Sequence, residues 1–203
     1  MNLIANSLLE SKSVFIEPKI ENYFTWTSGI KSPIYCDNRQ LISYPNYRNI
    51  IVKEFCQLIK EKFSHVEIIA GTATAGIPWA AWIAQELNLP MIYIRSSSKA
   101  HGRKSAIEGF SKPNQKIIII EDLISTGKSS IEAFENASNE NLLTLGIVSI
   151  FNYGFNKSVE SFKKHKLNTY SLCSLDDLLI EANRLDQISK DQIKMIKTWK
   201  ESI

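Results

Sequence analysis

A pair of carboxylates beside a run of small residues is the part of this sequence best suited to chemistry. Glu121 and Asp122 follow four consecutive isoleucines, residues 117–120, and precede the small and polar residues of 125–130. The isoleucine run predicts a strand that ends before the two carboxylates and is buried on both faces, as in a parallel sheet. The residues after 130 have the apolar spacing of a helix.

Strand, turn and helix in this order predict a binding site. In open α/β sheets, ligands bind at the carboxyl ends of the strands, where free backbone N–H groups of the next helix can hold a phosphate. Carboxylates would repel that phosphate, but they accept hydrogen bonds well from vicinal sugar hydroxyls. The segment therefore predicts a site for a ribose 5-phosphate.

Two other interpretations of this segment are weighed against that one. Gly127, Lys128 and Ser129 look like the end of a Walker A loop, but that motif requires glycine at position 122, where Asp122 stands. The segment could also be an ordinary strand–turn–helix whose acids only cap the helix.

A second turn of small residues, 71–76, also lies between a predicted strand and a predicted helix. Its residues would let a ligand approach the backbone closely. Two such turns in one sheet could hold the two ends of a doubly phosphorylated sugar. The alternative is a tight turn in which glycine serves only the geometry.

Cations that could match such phosphates are concentrated after the strand predicted at 91–95. They are Arg95, Lys99, His101, Arg103 and Lys104. Residues 96–110 are polar, contain glycine and show no periodicity, so they predict a loop. It is either a solvated surface loop or a mobile loop that closes over a diphosphate and stabilises the leaving group.

A framework of alternating strands and helices must position these segments. Strands are predicted at 66–70, 91–95, 117–120 and 143–151, and helices at 2–11, 45–63, 76–87, 175–184 and 189–200, with strands and turns over 14–39. This alternation indicates βαβ units. The expected fold class is α/β, with a central, mostly parallel sheet flanked by helices.

Composition narrows the function classes. The chain of 203 residues, with 44% hydrophobic and 22% charged residues, can form one domain with a substantial core. A net charge of +3 is too small to indicate nucleic-acid binding by itself, and no apolar stretch approaches the roughly 20 residues that span a bilayer. The amino terminus does not resemble a signal peptide. Cys36, Cys56 and Cys173 lack metal-ligand spacing, so reduced thiols in a cytoplasmic protein are expected.

Four blocks of this sequence resemble the type I phosphoribosyltransferases, and among them the orotate phosphoribosyltransferases. Residues 116–130 resemble their loop for phosphoribosyl diphosphate (PRPP), and residues 71–78 resemble their diphosphate loop. Residues 24–39 resemble their amino-terminal signature and residues 95–109 their mobile catalytic loop; these two blocks distinguish orotate enzymes from those for other bases. The blocks occur in the family's order over nearly the whole chain.

The resemblance implies a type I phosphoribosyltransferase-like fold in one domain, 1–203, with a small hood contributed mainly by about residues 1–40. It implies transfer of the phosphoribosyl group from PRPP to orotate, which gives orotidine 5′-monophosphate and diphosphate in UMP biosynthesis. It also implies Mg²⁺ held through the oxygens of PRPP rather than directly by the protein. The implied assembly is a homodimer whose catalytic loop reaches the neighbouring subunit's site, with no nucleic-acid or membrane partner.

The family's functional residues carry over to this sequence by the same resemblance. The catalytic residues would be Lys99, His101, Glu121 and Asp122. PRPP would be bound by Arg95, Lys99, His101, Glu121, Asp122, Leu123, Ile124, Ser125, Thr126, Gly127, Lys128 and Ser129. The diphosphate loop would be Thr72, Ala73, Thr74, Ala75 and Gly76. Orotate would be bound by Ser28, Gly29, Lys31, Tyr35 and Ser125.

The sequence departs from the family's pattern at several places. Ala75 stands where many members have lysine, and Lys128 stands where a small residue is common. Residues 152–155 lack the arginine that some members use for the carboxylate of orotate, so the partner of that carboxylate stays open. Two alternatives remain: another base specificity on the same fold, or a non-catalytic PRPP-sensing regulator, against which the retained Lys99 and His101 argue.

Overall fold

A six-stranded sheet forms the centre of the protein in a computed structural model that describes residues 2–26, 28–96 and 105–203. Along the sheet the strands run in the order β10–β9–β8–β5–β6–β7. All neighbouring pairs are parallel except β6 with β7. The strands are β5 (Ile68–Thr72), β6 (Met91–Ile94), β7 (Ile107–Glu108), β8 (Lys116–Ile124), β9 (Leu143–Asn152) and β10 (Thr169–Ser174). The predicted α/β class with a mostly parallel sheet is confirmed.

The isoleucines of β8 explain why this strand lies at the centre of the sheet. Ile118 and Ile120 pack into the core on one face, and Ile117 and Ile119 pack into a second core on the other face. All four side chains are fully buried. A strand buried on both faces is the structure that the uninterrupted β-branched run predicts.

Helices cover the sheet, and their bounds follow local signals. They are α1 (Leu3–Glu10), α2 (Pro45–Lys62), α3 (Gly76–Leu87), α4 (Lys128–Asn139), α5 (Asn156–Lys164), α6 (Leu175–Arg184) and α7 (Lys190–Glu201). Pro45 occupies the first position of α2, where its missing N–H costs nothing. Ser174 and Ser189 close capping boxes at the starts of α6 and α7. Within the described residues, no helix is long and apolar enough to cross a membrane.

The amino-terminal segment builds two small antiparallel pairs instead of joining the main sheet. Strand β1 (Val14–Ile16) pairs with β4 (Ile34–Cys36), and β2 (Phe24–Thr25) pairs with β3 (Lys31–Ser32). The Trp199 indole N–H donates to the Lys31 carbonyl at 2.8 Å. Because the segment is bonded to the last helix, we infer that the hood is part of one domain.

Several element bounds differ from the sequence prediction. Strand β8 continues to Ile124, so the prediction that Glu121 and Asp122 follow the strand was wrong: both lie within it. Strand β5 begins two residues later than predicted and takes in Gly71 and Thr72.

Three elements were missed altogether. Strand β7 lies inside the predicted loop 96–110, and its two residues pair with β6. Strand β10 and helix α5 lie between the strand predicted to end at 151 and the helix predicted to begin at 175, where no element was predicted. β10 is the outermost strand at one end of the sheet and most of its side chains are half-buried, so it lacks the apolar run that marks a central strand.

Candidate active site

A cavity of about 650 Å³ opens where β5, β8 and β9 end, beneath the amino-terminal segment. One side, here called the strand wall, is formed by Ala75, Asp122, Leu123, Ser125, Thr126, Gly127, Lys128, Ser129 and Glu132. A second group of lining residues, here called the hood wall, comes from the amino-terminal segment: Thr25, Trp26, Ser28, Tyr35, Cys36, Asp37 and Arg39. Tyr153, just after β9, also lines the cavity.

The turn between β8 and α4 presents free backbone donors to this cavity. Gly127 adopts φ +78°, a conformation that favours glycine, and α4 begins at the next residue. No side chain caps this helix end. The first N–H groups of α4 and its positive dipole end are therefore available to an anion.

Asp122 is the carboxylate on the strand wall. Burial raises its pKa to about 6, although backbone hydrogen bonds and the nearby Arg39 oppose that shift. The amide of Asn38 donates to the backbone carbonyl of Asp122 at 2.6 Å. This bond connects the hood directly to β8 at the predicted sugar-binding residue.

Glu121 does not line the cavity, unlike its neighbour. Its side chain is only 4% exposed and accepts hydrogen bonds from the hydroxyls of Ser129 at 3.1 Å and Ser130 at 2.9 Å. Burial, followed by the negative charge of Asp122, raises the pKa of Glu121 to about 8. Successive side chains of a strand point to opposite faces; Glu121 thus ties the first turn of α4 to the sheet.

The hood wall contains charged residues that sequence reasoning missed. The Arg39 Nε donates to Asp37 Oδ1 at 2.7 Å, and a terminal nitrogen of Arg39 donates to the Tyr35 hydroxyl at 3.2 Å. Tyr35 also packs against Phe24, with ring centroids 5.8 Å apart. The signal was present, because Tyr35 and Asp37 are two residues apart in an extended segment and so share a face.

The predicted orotate contacts are only partly on the cavity surface. Ser28, Tyr35 and Ser125 line it, whereas Gly29 and Lys31 do not. Lys31 has an exposed side chain, and its carbonyl is bonded to Trp199. Tyr153 also lines the cavity, although it was not among the predicted orotate contacts. Its hydroxyl accepts the Cys36 N–H at 3.2 Å.

Of the predicted diphosphate loop, only Ala75 lines the cavity. Thr72 ends β5, residues 73–75 form the turn with a cis peptide bond between Ala73 and Thr74, and Gly76 starts α3.

The remaining predicted PRPP residues fall in four groups. Leu123 and Ser125 to Ser129 line the cavity, with the Lys128 side chain 83% exposed and 3.8 Å from Glu132. Ile124 is buried in the core. Arg95 does not line the cavity; its guanidinium donates to the Ser105 carbonyl at 3.1 Å and lies 3.4 Å from Glu108. Lys99 and His101 lie outside the described residues.

Comparison with known proteins identifies the family. Residues 43–172 match the phosphoribosyl transferase domain. The orotate phosphoribosyltransferase of Malacoplasma penetrans is 45% identical over 100% of this chain and 97% of its own length. That of Bacillus subtilis is 48% identical over 98% of this chain and 91% of its own.

The fold agrees with these sequence matches. The structure of Leishmania donovani UMP synthase superimposes with a TM-score of 0.83 and 27% identity, covering 98% of this chain and 42% of that one. Full-length similarity to curated relatives, the matching domain and the shared fold agree, and so the chain belongs to the phosphoribosyltransferase family, within its group of orotate phosphoribosyltransferases.

Proposed function

We propose that this protein catalyses the reversible reaction of orotate with PRPP to give orotidine 5′-monophosphate and diphosphate, a step of UMP biosynthesis. One observation carries the proposal: in a chain of this family, Asp122, the uncapped amino end of α4 and the aromatic and polar hood wall all line the same cavity. The three parts suit a sugar, a phosphate and a planar base.

The 5′-phosphate is assigned to the turn at 125–129. Backbone N–H groups and the hydroxyls of Ser125, Thr126 and Ser129 offer donors there, next to the positive end of the α4 dipole. Leu123 and Gly127 also line the cavity, and Gly127 has no side chain to obstruct the phosphate. Lys128 adds a solvent-exposed positive charge at the rim.

The ribose hydroxyls are assigned to Asp122, whose carboxylate faces the cavity. Bond loosening between C1 and diphosphate leaves positive charge on the sugar, and a nearby carboxylate stabilises that charge. Glu121 has a different part, because its carboxyl is bonded to Ser129 and Ser130 instead. It holds the phosphate-binding turn of α4 in place.

The base is assigned to the hood wall. Tyr35, with Phe24 behind it, supplies aromatic surface, and Ser28 and Ser125 supply hydroxyls for the polar edge of orotate. The predicted contacts of Gly29 and Lys31 would require the segment at 26–31 to close further over the base.

Mg²⁺ belongs to the proposal as a partner of the substrate. The lining suits a cation carried by the substrate, because the acidic residues Asp122 and Asp37 both line the cavity. Oxygens of PRPP would supply the ligands of this hard cation. When bound, the ion neutralises charge on the departing diphosphate.

A homodimer completes the proposal. By family resemblance, Lys99 and His101 act from one subunit on the diphosphate in the other subunit's site. The location proposed is the cytoplasm, where the free thiols of Cys36, Cys56 and Cys173 remain reduced.

The decisive test of activity is substrate depletion. The protein is incubated with PRPP, Mg²⁺ and one of orotate, uracil, hypoxanthine or adenine, and the base and nucleotide are separated and quantified. Consumption of orotate with release of diphosphate is expected. Preferential consumption of another base would contradict the proposal, and so would PRPP binding by calorimetry without consumption of any base, which is the behaviour of a sensor.

The shared-site part has its own test in mixed dimers. Lys99→Ala and Asp122→Asn should each have strongly reduced activity alone. If the loop acts across the interface, one site of the mixed dimer lacks both groups and the other site is intact. Mixing should then restore roughly a quarter of wild-type activity per subunit, if the sites act independently. Subunit exchange verified by native mass spectrometry without recovered activity would contradict a loop shared between subunits.

A further inference from the structure

We propose that Arg39 recognises the carboxylate of the base and so selects orotate over bases without that group. The inference rests on the function proposed above and concerns the specificity of the same site. Within residues 2–26, 28–96 and 105–203, the cationic side chains that line the cavity are Arg39 and Lys128. An anionic base needs a cation, because burying an unpaired carboxylate is costly.

The two cations belong to different walls. Lys128 is the first residue of α4 and lies within the turn assigned to the 5′-phosphate, 3.8 Å from Glu132. Arg39 lies on the hood wall with Tyr35 and Asp37. In a nucleotide the base and the 5′-phosphate are attached at opposite ends of the ribose. With the phosphate at α4 and the ribose at Asp122, the base lies against the hood and within the surroundings of Arg39.

The guanidinium of Arg39 is held in position but still has hydrogen-bond donors without a protein acceptor in the described residues. Asp37 accepts from its Nε at 2.7 Å, and the Tyr35 hydroxyl accepts from one terminal nitrogen at 3.2 Å. A guanidinium carries five N–H donors in a fixed plane, so further donors remain for a ligand. The pair of bonds holds the plane in position, which lowers the entropy lost when a carboxylate binds.

A purely structural role explains Arg39 less well. Its side chain is 60% exposed, and exposed ion pairs contribute little to stability. The other position considered for this contact, after β9, holds Tyr153. That side chain is neutral and buried, and its hydroxyl already accepts the Cys36 N–H.

The test compares two nucleotides that differ only in the carboxylate. Orotidine 5′-monophosphate and UMP share the phosphate, the ribose and the pyrimidine ring, and their dissociation constants are measured by calorimetry on the wild type, Arg39→Gln and Arg39→Lys. Wild type should prefer orotidine 5′-monophosphate. Arg39→Gln should weaken its binding roughly tenfold to a hundredfold, the value of a charge-assisted contact, and leave UMP nearly unchanged. The affinity of Arg39→Lys for orotidine 5′-monophosphate should lie between those of the wild type and Arg39→Gln, since lysine keeps the charge but lacks the planar guanidinium.

Lys128→Gln is the matched control, because it removes the cation of the other wall. It should weaken the binding of both nucleotides by the same factor, since both carry the 5′-phosphate. Preference for orotidine 5′-monophosphate that persists in Arg39→Gln would overturn the role of Arg39 and leave the proposed function intact. A wild type without any preference between the two nucleotides, and without orotate consumption, would overturn both.

Discussion

The two walls of the cavity are built in different ways. Apart from Ala75, the strand wall comes from one short stretch, 122–132, that runs from the end of β8 into α4. The hood wall collects residues between Thr25 and Arg39 and is held by bonds to distant segments: Asn38 to Asp122, Cys36 to Tyr153 and Lys31 to Trp199. We infer that the phosphate half of the site is a local structure on a rigid sheet, whereas the base half depends on long-range contacts.

Alanine substitutions of two glycines, one beside each wall, should give the largest difference in stability. A Cβ on Gly76, next to Ala75 of the strand wall, would overlap the carbonyl oxygen of Ile120. Backbone atoms of a central strand cannot move aside, so Gly76→Ala should cost about 3 kcal/mol of stability. Gly29, next to Ser28 of the hood wall, has φ +84° and nothing within 4 Å of the added Cβ.

Gly29→Ala should therefore cost only the backbone strain of that conformation, about 1 kcal/mol. Urea unfolding of both variants measures the difference. Equal losses of stability would mean that the walls do not differ in rigidity as we infer.

Asp122→Asn tests the strand wall by activity. The loss of a charge-assisted contact to the ribose should lower kcat/KM about tenfold or more, equivalent to roughly 1.5–3 kcal/mol. Burial raises the pKa of Asp122 to about 6, so its carboxylate becomes protonated below that pH. The rate of the wild type should therefore fall as the pH drops below about 6. The variant should lack that limb of the pH profile. Unaltered steady-state kinetics would remove Asp122 from the reaction.

Glu121 tests what makes the strand wall rigid. Glu121→Ala leaves the hydroxyls of Ser129 and Ser130 without their acceptor and should cost about 2 kcal/mol of stability. Glu121→Gln keeps an acceptor oxygen and should retain the fold and most of the activity. If Glu121→Gln instead impairs kcat/KM as much as Asp122→Asn, then Glu121 contacts the sugar as a carboxylate.

The pH dependence of stability sharpens this test. In the folded state the pKa of Glu121 is raised from 4.5 to about 8, mainly by burial. The stabilisation by its protonated form is therefore complete below about pH 4.5 and is lost as the pH rises through about 8. Wild type should lose stability relative to Glu121→Gln over that window, measured by urea unfolding at several pH values.

Trp199→Phe tests the anchoring of the hood wall and has the smallest expected effect. It removes the 2.8 Å hydrogen bond from the indole N–H to the Lys31 carbonyl, worth about 1 kcal/mol. The KM for orotate should rise a few-fold while the KM for PRPP stays the same. Trp79→Phe is the control: Trp79 is buried and its N–H has no partner among the described residues, so stability should fall without a change in either KM.

Local sequence patterns were sufficient for the four inner strands of the sheet and for the turn at 125–129. A β-branched run buried on both faces, as at Ile117 and Ile119, can be recognised from residue type alone. The strand bounds were less accurate, because pairing with β9 extends β8 beyond the apolar run and takes in Glu121. Element α5 and strand β10 lack an apolar pattern strong enough to be read locally.

The sequence by itself therefore determined the fold class and the turn at 125–129, because these depend on neighbouring residues that fold together, and it determined the family through the resemblance of four blocks along the chain. Only the tertiary structure decided which side chains share the cavity. It separated Glu121 from Asp122, because successive residues of a strand point to opposite faces. It also brought Arg39 and Tyr153, from distant parts of the chain, to the surface of one cavity, and contacts between segments so far apart leave no periodic trace in the sequence.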